Sequence, residues 1–111
     1  MKKILVYLFA AIAFVIQTNA QVDWTKHPDN PILTRGVNGE WDDVLVANPY
    51  VIFDGTTYHL WYGGYDGSTG TNIGYATSVD GISWTKYNDP ATTSPPYADS
   101  DPVLKAGPSS W

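Results

Sequence analysis

Hydrophobic and polar positions follow two different regimes along this chain, and the change comes near residue 20. Ile4 to Ile16 is apolar without a break, behind the basic pair Lys2 and Lys3 and ahead of Thr18, Asn19 and Ala20. A basic head, an apolar run of 13 residues and small residues at the end make a secretory signal peptide, with cleavage after Ala20 and a mature chain beginning at Gln21. A membrane span needs about 20 apolar residues, so the run is too short to be read as an anchor. Past Gln21 no stretch carries apolar residues at helical spacing over two turns, and helix is not expected there.

From Val44 the pattern is strand and turn, repeated. Val44 to Phe53 is rich in β-branched and aromatic residues, Asp54 and Gly55 read as a tight hairpin turn, and Thr57 to Gly63 resumes strand character. A looser connection from Gly64 to Gly70 holds Asp66, Gly67, Ser68 and Thr69, all tolerant of turn geometry. Thr71 to Ser78 is a third strand, Asp80 and Gly81 a second tight turn, and Ile82 to Tyr87 a fourth strand. The expectation is an all-β chain with one four-stranded antiparallel meander. Alternation places Tyr58, Leu60 and Tyr62 on one face of the second strand and His59 and Trp61 on the other. With aromatic side chains on both faces, the sheet suits stacking between neighbouring sheets, as in a propeller.

An internal echo points the same way. Trp24, Thr25 and Lys26 recur as Trp84, Thr85 and Lys86, and Asn30, Pro31, Ile32 and Leu33 recur in style as Asp101, Pro102, Val103 and Leu104. Each of the latter segments runs through a Gly, Gly36 or Gly107, to a Trp, Trp41 or Trp111. Repeats with periods of this order mark propellers and solenoids. The division that follows is a signal peptide over 1–20, a lead-in over 21–43, a first blade over 44–87 and the start of a second, truncated blade over 88–111.

Charge and composition narrow the partners. Without its first 20 residues the chain keeps 91, with four basic side chains against eleven acidic ones, a net charge of −7. Nucleic acid and anionic membrane both demand Lys and Arg to displace counterions, so neither is an expected partner. The chain has no Cys and no His cluster at ligand spacing. A small exported domain ordinarily leans on disulfides or metal. Their absence favours a piece of something larger, with the remaining blades as the missing partners. A free-standing domain that completes a ring with copies of itself is the other arrangement.

The order Asn30-Pro31-Ile32-Leu33, Trp41-Asp42, Asn48-Pro49, Tyr58, Leu60-Trp61-Tyr62, Ile73-Gly74-Tyr75-Ala76-Thr77-Ser78, Asp80-Gly81 and Trp84 resembles the start of the five-bladed β-propeller glycosidases, the relatives of glycoside hydrolase families 32, 43, 62 and 130. The likeness runs from Trp24 to Trp111 and covers about one blade. It implies a secreted, periplasmic or cell-surface enzyme acting on poly- or oligosaccharides without a cofactor, and a fragment that is inactive alone. Glycosidase chemistry takes two carboxylates about 5 to 9.5 Å apart, and the resemblance draws them from different blades. Families 32 and 43 place an Asp before Pro on the first inner strand, where this chain has Asn48; family 130 tolerates Asn and takes its carboxylates from later segments.

Five residues are site candidates on this basis. Asp42 and Asp43 are the candidate catalytic carboxylates, and Trp41 beside them could stack on a pyranose face; the alternative is a solvated loop in which one Asp caps a turn. Asn48 could bond a sugar hydroxyl or satisfy backbone ahead of Pro49, and His59 could face the central funnel or pack in the sheet. Trp61, Tyr62 and Tyr75 read as packing between blades. Ser78, Asp80, Gly81 and Trp84 resemble the Asp-box of sialidases, a motif that shapes a turn and does not catalyse. The spacing around Asp66 is not that of a calcium loop, and no phosphate loop, nucleophile elbow or zinc signature is present. A non-catalytic carbohydrate-binding or surface propeller is the rival to the enzyme reading.

Overall fold

The computed structural model describes residues 22–68 and 70–107; residues 1–20, expected to be a signal peptide, and Trp111 lie outside them. Four antiparallel strands, β1 (Leu45–Phe53), β2 (Tyr58–Tyr65), β3 (Asn72–Ser78) and β4 (Thr85–Lys86), form one sheet in sequence order. The described residues are all-β, as their period-two patterning implies, and among them no helix is long and apolar enough to cross a membrane.

The turns differ in detail from the expectation because their Asp side chains take backbone donors. Asp54 sits at the base of the first hairpin, not at its tip: its N–H donates to the Thr57 carbonyl at 3.1 Å, and its Oδ1 accepts the Thr56 and Thr57 amides at 2.9 and 2.8 Å. Gly55 takes the left-handed conformation beyond it, with φ 104°. Asp80 Oδ1 likewise accepts the Ile82 and Ser83 amides, each at 2.8 Å, and the Ser78 hydroxyl at 2.9 Å, while Trp84 Nε1 donates to the Gly81 carbonyl at 3.1 Å. This capped loop occupies residues expected in the fourth strand and leaves β4 only Thr85 and Lys86. The turn-shaping role read for Ser78, Asp80, Gly81 and Trp84 is what these bonds perform.

Register separates the two faces. β2 pairs with β3 without interruption from Tyr58↔Ser78 to Gly64↔Asn72. One face carries Leu60, Tyr62, Gly64, Gly74 and Ala76, all buried; the other carries His59, Trp61, Tyr75 and Ile73, all half-buried. Two strand glycines make the covered face possible. A Cβ at Gly64 would lie 2.3 Å from Trp41 Cζ3, and one at Gly74 would lie 2.2 Å from Tyr62 Cζ. Trp41 and Tyr62 therefore lie flat on bare backbone and stack on each other with centroids 5.8 Å apart. They form the core with Leu60 and Ala76, flanked by Leu33, Val46, Trp84 and Tyr97.

Sequence on either side of the sheet holds that core down. Glu40, 1% exposed, accepts the Ala98 and Asp99 amides at 3.4 and 3.2 Å. Trp41 donates its backbone N–H to the Pro96 carbonyl and its indole N–H to Ser100 Oγ, both at 3.0 Å. Farther along, Leu104 forms a bridge with Ile73, whose N–H donates to the Leu104 carbonyl at 2.8 Å. The Asp101–Leu104 echo of Asn30–Leu33 is thus joined to β3.

Candidate functional site

The strand that resembles an inner blade strand is interrupted at the residue of interest. The β1–β2 ladder runs from Leu45↔Tyr65 to Ala47↔Gly63, skips, and resumes at Tyr50↔Trp61. Pro49 has no N–H to give the ladder. Asn48, before it, is in the left-handed region with φ 53° and is exposed. Among the described non-glycine residues Asn48 alone has positive φ. A bulge re-aims side chains at a sheet edge, and β1 is an edge strand. A non-glycine residue held in this conformation stores about 1–3 kcal/mol, the kind of strain that gathers at functional positions. Beside the bulge an apolar groove of about 350 Å³ runs between the lead-in and the covered face, lined by residues that include Asn30, Pro31, Leu33, Val46, Ala47 and Pro49.

Asp42 lies beneath the covered face and is 0% exposed. Its Oδ1 accepts the Gly36 amide at 3.1 Å, and its Oδ2 accepts Lys86 Nζ at 2.5 Å and the Tyr62 hydroxyl at 3.3 Å. Burial pushes the Tyr62 phenol well above its ordinary pKa, and the neighbouring Asp42 charge adds to the shift; the phenol stays protonated and donates. The Lys86 ammonium also lies 5.6 Å from the centre of the Tyr62 ring. A buried carboxylate requires compensation of this kind. Asp43 is different: its Oδ2 accepts the Gly39 amide at 2.7 Å, while its Oδ1 is buried without a partner.

His59 is on the opposite face. Its Nε2 is 2.9 Å from Asp54 Oδ2 and its Nδ1 is 2.6 Å from the Tyr75 hydroxyl, a chain linking the first hairpin through β2 to β3. In the neutral ring this pattern assigns the proton to Nε2 and makes Tyr75 the donor to Nδ1. The His59 bond, followed by the Thr57 and Thr56 amides, holds the Asp54 carboxyl well below the usual range. The imidazole stacks on Tyr75 with centroids 6.0 Å apart, and Trp61 leans on Tyr75 at 5.3 Å. These rings turn their faces to one another.

The five candidates therefore do not share one pocket. Trp41 and Asp42 meet below the covered face, Asp43 closes a turn beside them, Asn48 stands at the β1 edge, and His59 lies across the sheet. Sequence reasoning passed over Lys86, the half-buried counter-ion of Asp42, and Glu40, the buried carboxylate that accepts the Ala98 and Asp99 amides. Lys86 carried one signal, its place in the Trp-Thr-Lys echo; Glu40 carried none. Among the described residues no three His, Asp or Glu side chains gather as metal ligands would.

No protein-family model matches the chain, and no solved structure matches it. It is similar to a curated protein, the β-1,2-mannobiose phosphorylase of Thermoanaerobacter sp. (strain X514), at 30% identity over 79 residues, covering 60% of this chain and 26% of that protein. The match thus spans about a quarter of the relative's length. It supports kinship with the propeller glycosidases at the level of the superfamily and no finer placement.

Proposed function

We propose that the chain is the first blade of an exported five-bladed β-propeller that acts on poly- or oligosaccharides, with its sugar-contacting groups at the β1 bulge. The observation that carries this reading is the 30% identity to a mannobiose phosphorylase. The bulge gives the reading a location: Asn48 is exposed, strained and on the sheet edge that in a propeller faces the axis. An amide both donates to and accepts from sugar hydroxyls, and it supplies neither general acid nor general base. The proton-transferring carboxylates of the complete protein then come from other blades. Asp42 and Trp41 fix the floor under the bulge-bearing sheet, Asp43 fixes the adjoining turn, and His59 braces the face against which the next blade packs. One blade alone is inactive.

A second reading, a propeller that binds carbohydrate without turning it over, is favoured by one observation. The carboxylate best matched to the family pattern, Asp42, is committed to Lys86 and fully buried. A turnover assay of the longest product of the gene, with manno-oligosaccharides and with or without phosphate, separates the two. Released sugar supports the enzyme, binding without release supports the second reading, and neither binding nor release refutes both.

A further inference from the structure

The loop that carries Glu40, Trp41 and Asp42 into the core begins with Asn38 followed by Gly39. These residues form the tip of a turn closed by the Glu40 N–H donating to the Val37 carbonyl at 3.0 Å. Both are exposed, Gly39 has φ 96°, and a Cβ there would meet nothing within 4 Å. No side chain therefore shields the peptide nitrogen of Gly39 from the amide of Asn38. The Gly39 N–H donates to Asp43 Oδ2 at 2.7 Å, and Asp43 Oδ1 has no partner of its own. The arrangement sets an electrophile, a nucleophile and a proton acceptor on one exposed turn.

We propose that Asn38 is a site of self-modification, with Asp43 as the base. The Gly39 nitrogen attacks Asn38 Cγ as its proton passes to the Asp43 carboxylate. The new N–Cγ bond forms, the Cγ–Nδ2 bond breaks, and the amide nitrogen leaves as ammonia with the proton that Asp43 returns. Water then opens the five-membered imide at either carbonyl, giving Asp or isoaspartate at position 38. Atoms balance with one water consumed and one ammonia released, and no oxidant or reductant takes part. Isoaspartate adds a methylene to the backbone two residues ahead of Glu40, and Glu40, Trp41 and Asp42 are each 1% exposed or less. The added length loosens the anchorage of the core loop, so the chain carries a chemical clock at this turn. This inference stands independently of the carbohydrate reading.

The test incubates the purified chain at neutral pH and follows ammonia release, the amide-to-acid mass change and its position by peptide mapping. Conversion is expected at Asn38, is absent in Asn38→Gln, and is slowed about 100-fold in Asp43→Asn, the low end of general-base assistance. It is also expected to run faster in the native chain than in the same chain in denaturant. The native-to-denatured ratio decides the matter even if Asp43→Asn fails to fold. Conversion in Asp43→Asn as fast as in the parent, or faster conversion in denaturant than in the native chain, overturns the proposal, because the turn then shields Asn38.

Discussion

Breaking the Asp42–Lys86 pair is the perturbation whose size the structure constrains best. At 2.5 Å the two charges attract by about 7 kcal/mol with an effective dielectric constant of 20. Desolvation returns several kcal/mol per ion, so the pair adds little net stability over an apolar pair of the same shape. Removing one partner is another matter. Asp42→Asn leaves the Lys86 ammonium, whose side chain is 16% exposed, without a counter-ion beneath Tyr62. The expected loss is about 3 kcal/mol, the low end for a broken buried pair because Lys86 keeps some solvent. Hydrogen exchange at the Trp41 indole N–H, which donates to Ser100 in the same buried region, reads this locally. At tenfold for every 1.4 kcal/mol, protection falls about 100-fold in Asp42→Asn. Asp42→Asn with Lys86→Met recovers most of it, because no unpaired charge remains. If the double variant exchanges as fast as the product of the two single effects, the charges are not coupled and the reasoning fails.

Three further outcomes follow from named contacts. Gly64→Ala forces a Cβ into the Trp41 ring and destabilises the sheet by about 1–3 kcal/mol, read by Trp fluorescence during urea unfolding; an unchanged midpoint refutes the flat seating of Trp41 on β2. The carboxyls of Asp54 and Asp80 are both held below their ordinary value of 3.8. Their contribution is whole above that pH and is lost as pH falls below it toward the folded values, so Asp54→Asn and Asp80→Asn flatten the acid limb of the stability profile; an unaltered limb in both variants counts against the capped turns. Asn48→Ala strains the left-handed position by about 1–2 kcal/mol while Asn48→Gly does not, and equal thermal midpoints for the two would show that the bulge relaxes freely.

What could be read from the sequence divides by distance along the chain. The β1–β2 hairpin, the β2–β3 ladder and the alternation of Leu60 and Tyr62 against His59 and Trp61 are local patterns of period two, and the sheet follows them. The start of the fourth strand went the other way: Ile82 has strand character, yet Asp80 captures the Ile82 and Ser83 amides before a ladder can use them. The run from Val44 to Phe53, expected as one strand, loses its pairing between Ala47 and Tyr50, where Pro49 has no N–H for the ladder. Asp42 and Lys86 are 44 residues apart and Glu40 and Asp99 are 59 apart. Nothing in a local pattern pairs them, so Asp42 looked as available for chemistry as any loop carboxylate. The glycines were the neglected clue, since a strand glycine such as Gly64 or Gly74 marks a place where something lies close against the backbone.

The proposed link between this sheet and carbohydrate passes through one residue, Asn48, and can be tested there. Titrating an isotopically labelled chain of residues 21–111 with β-1,2-mannobiose, residue by residue, is the direct measurement. Saturable shifts are expected centred on Asn48 and its β1 neighbours Ala47 and Tyr50, lost in Asn48→Ala while the Trp41 indole signal keeps its position. Shifts confined to Trp61 and Tyr75 on the opposite face, or none at the highest sugar concentration, would contradict that link.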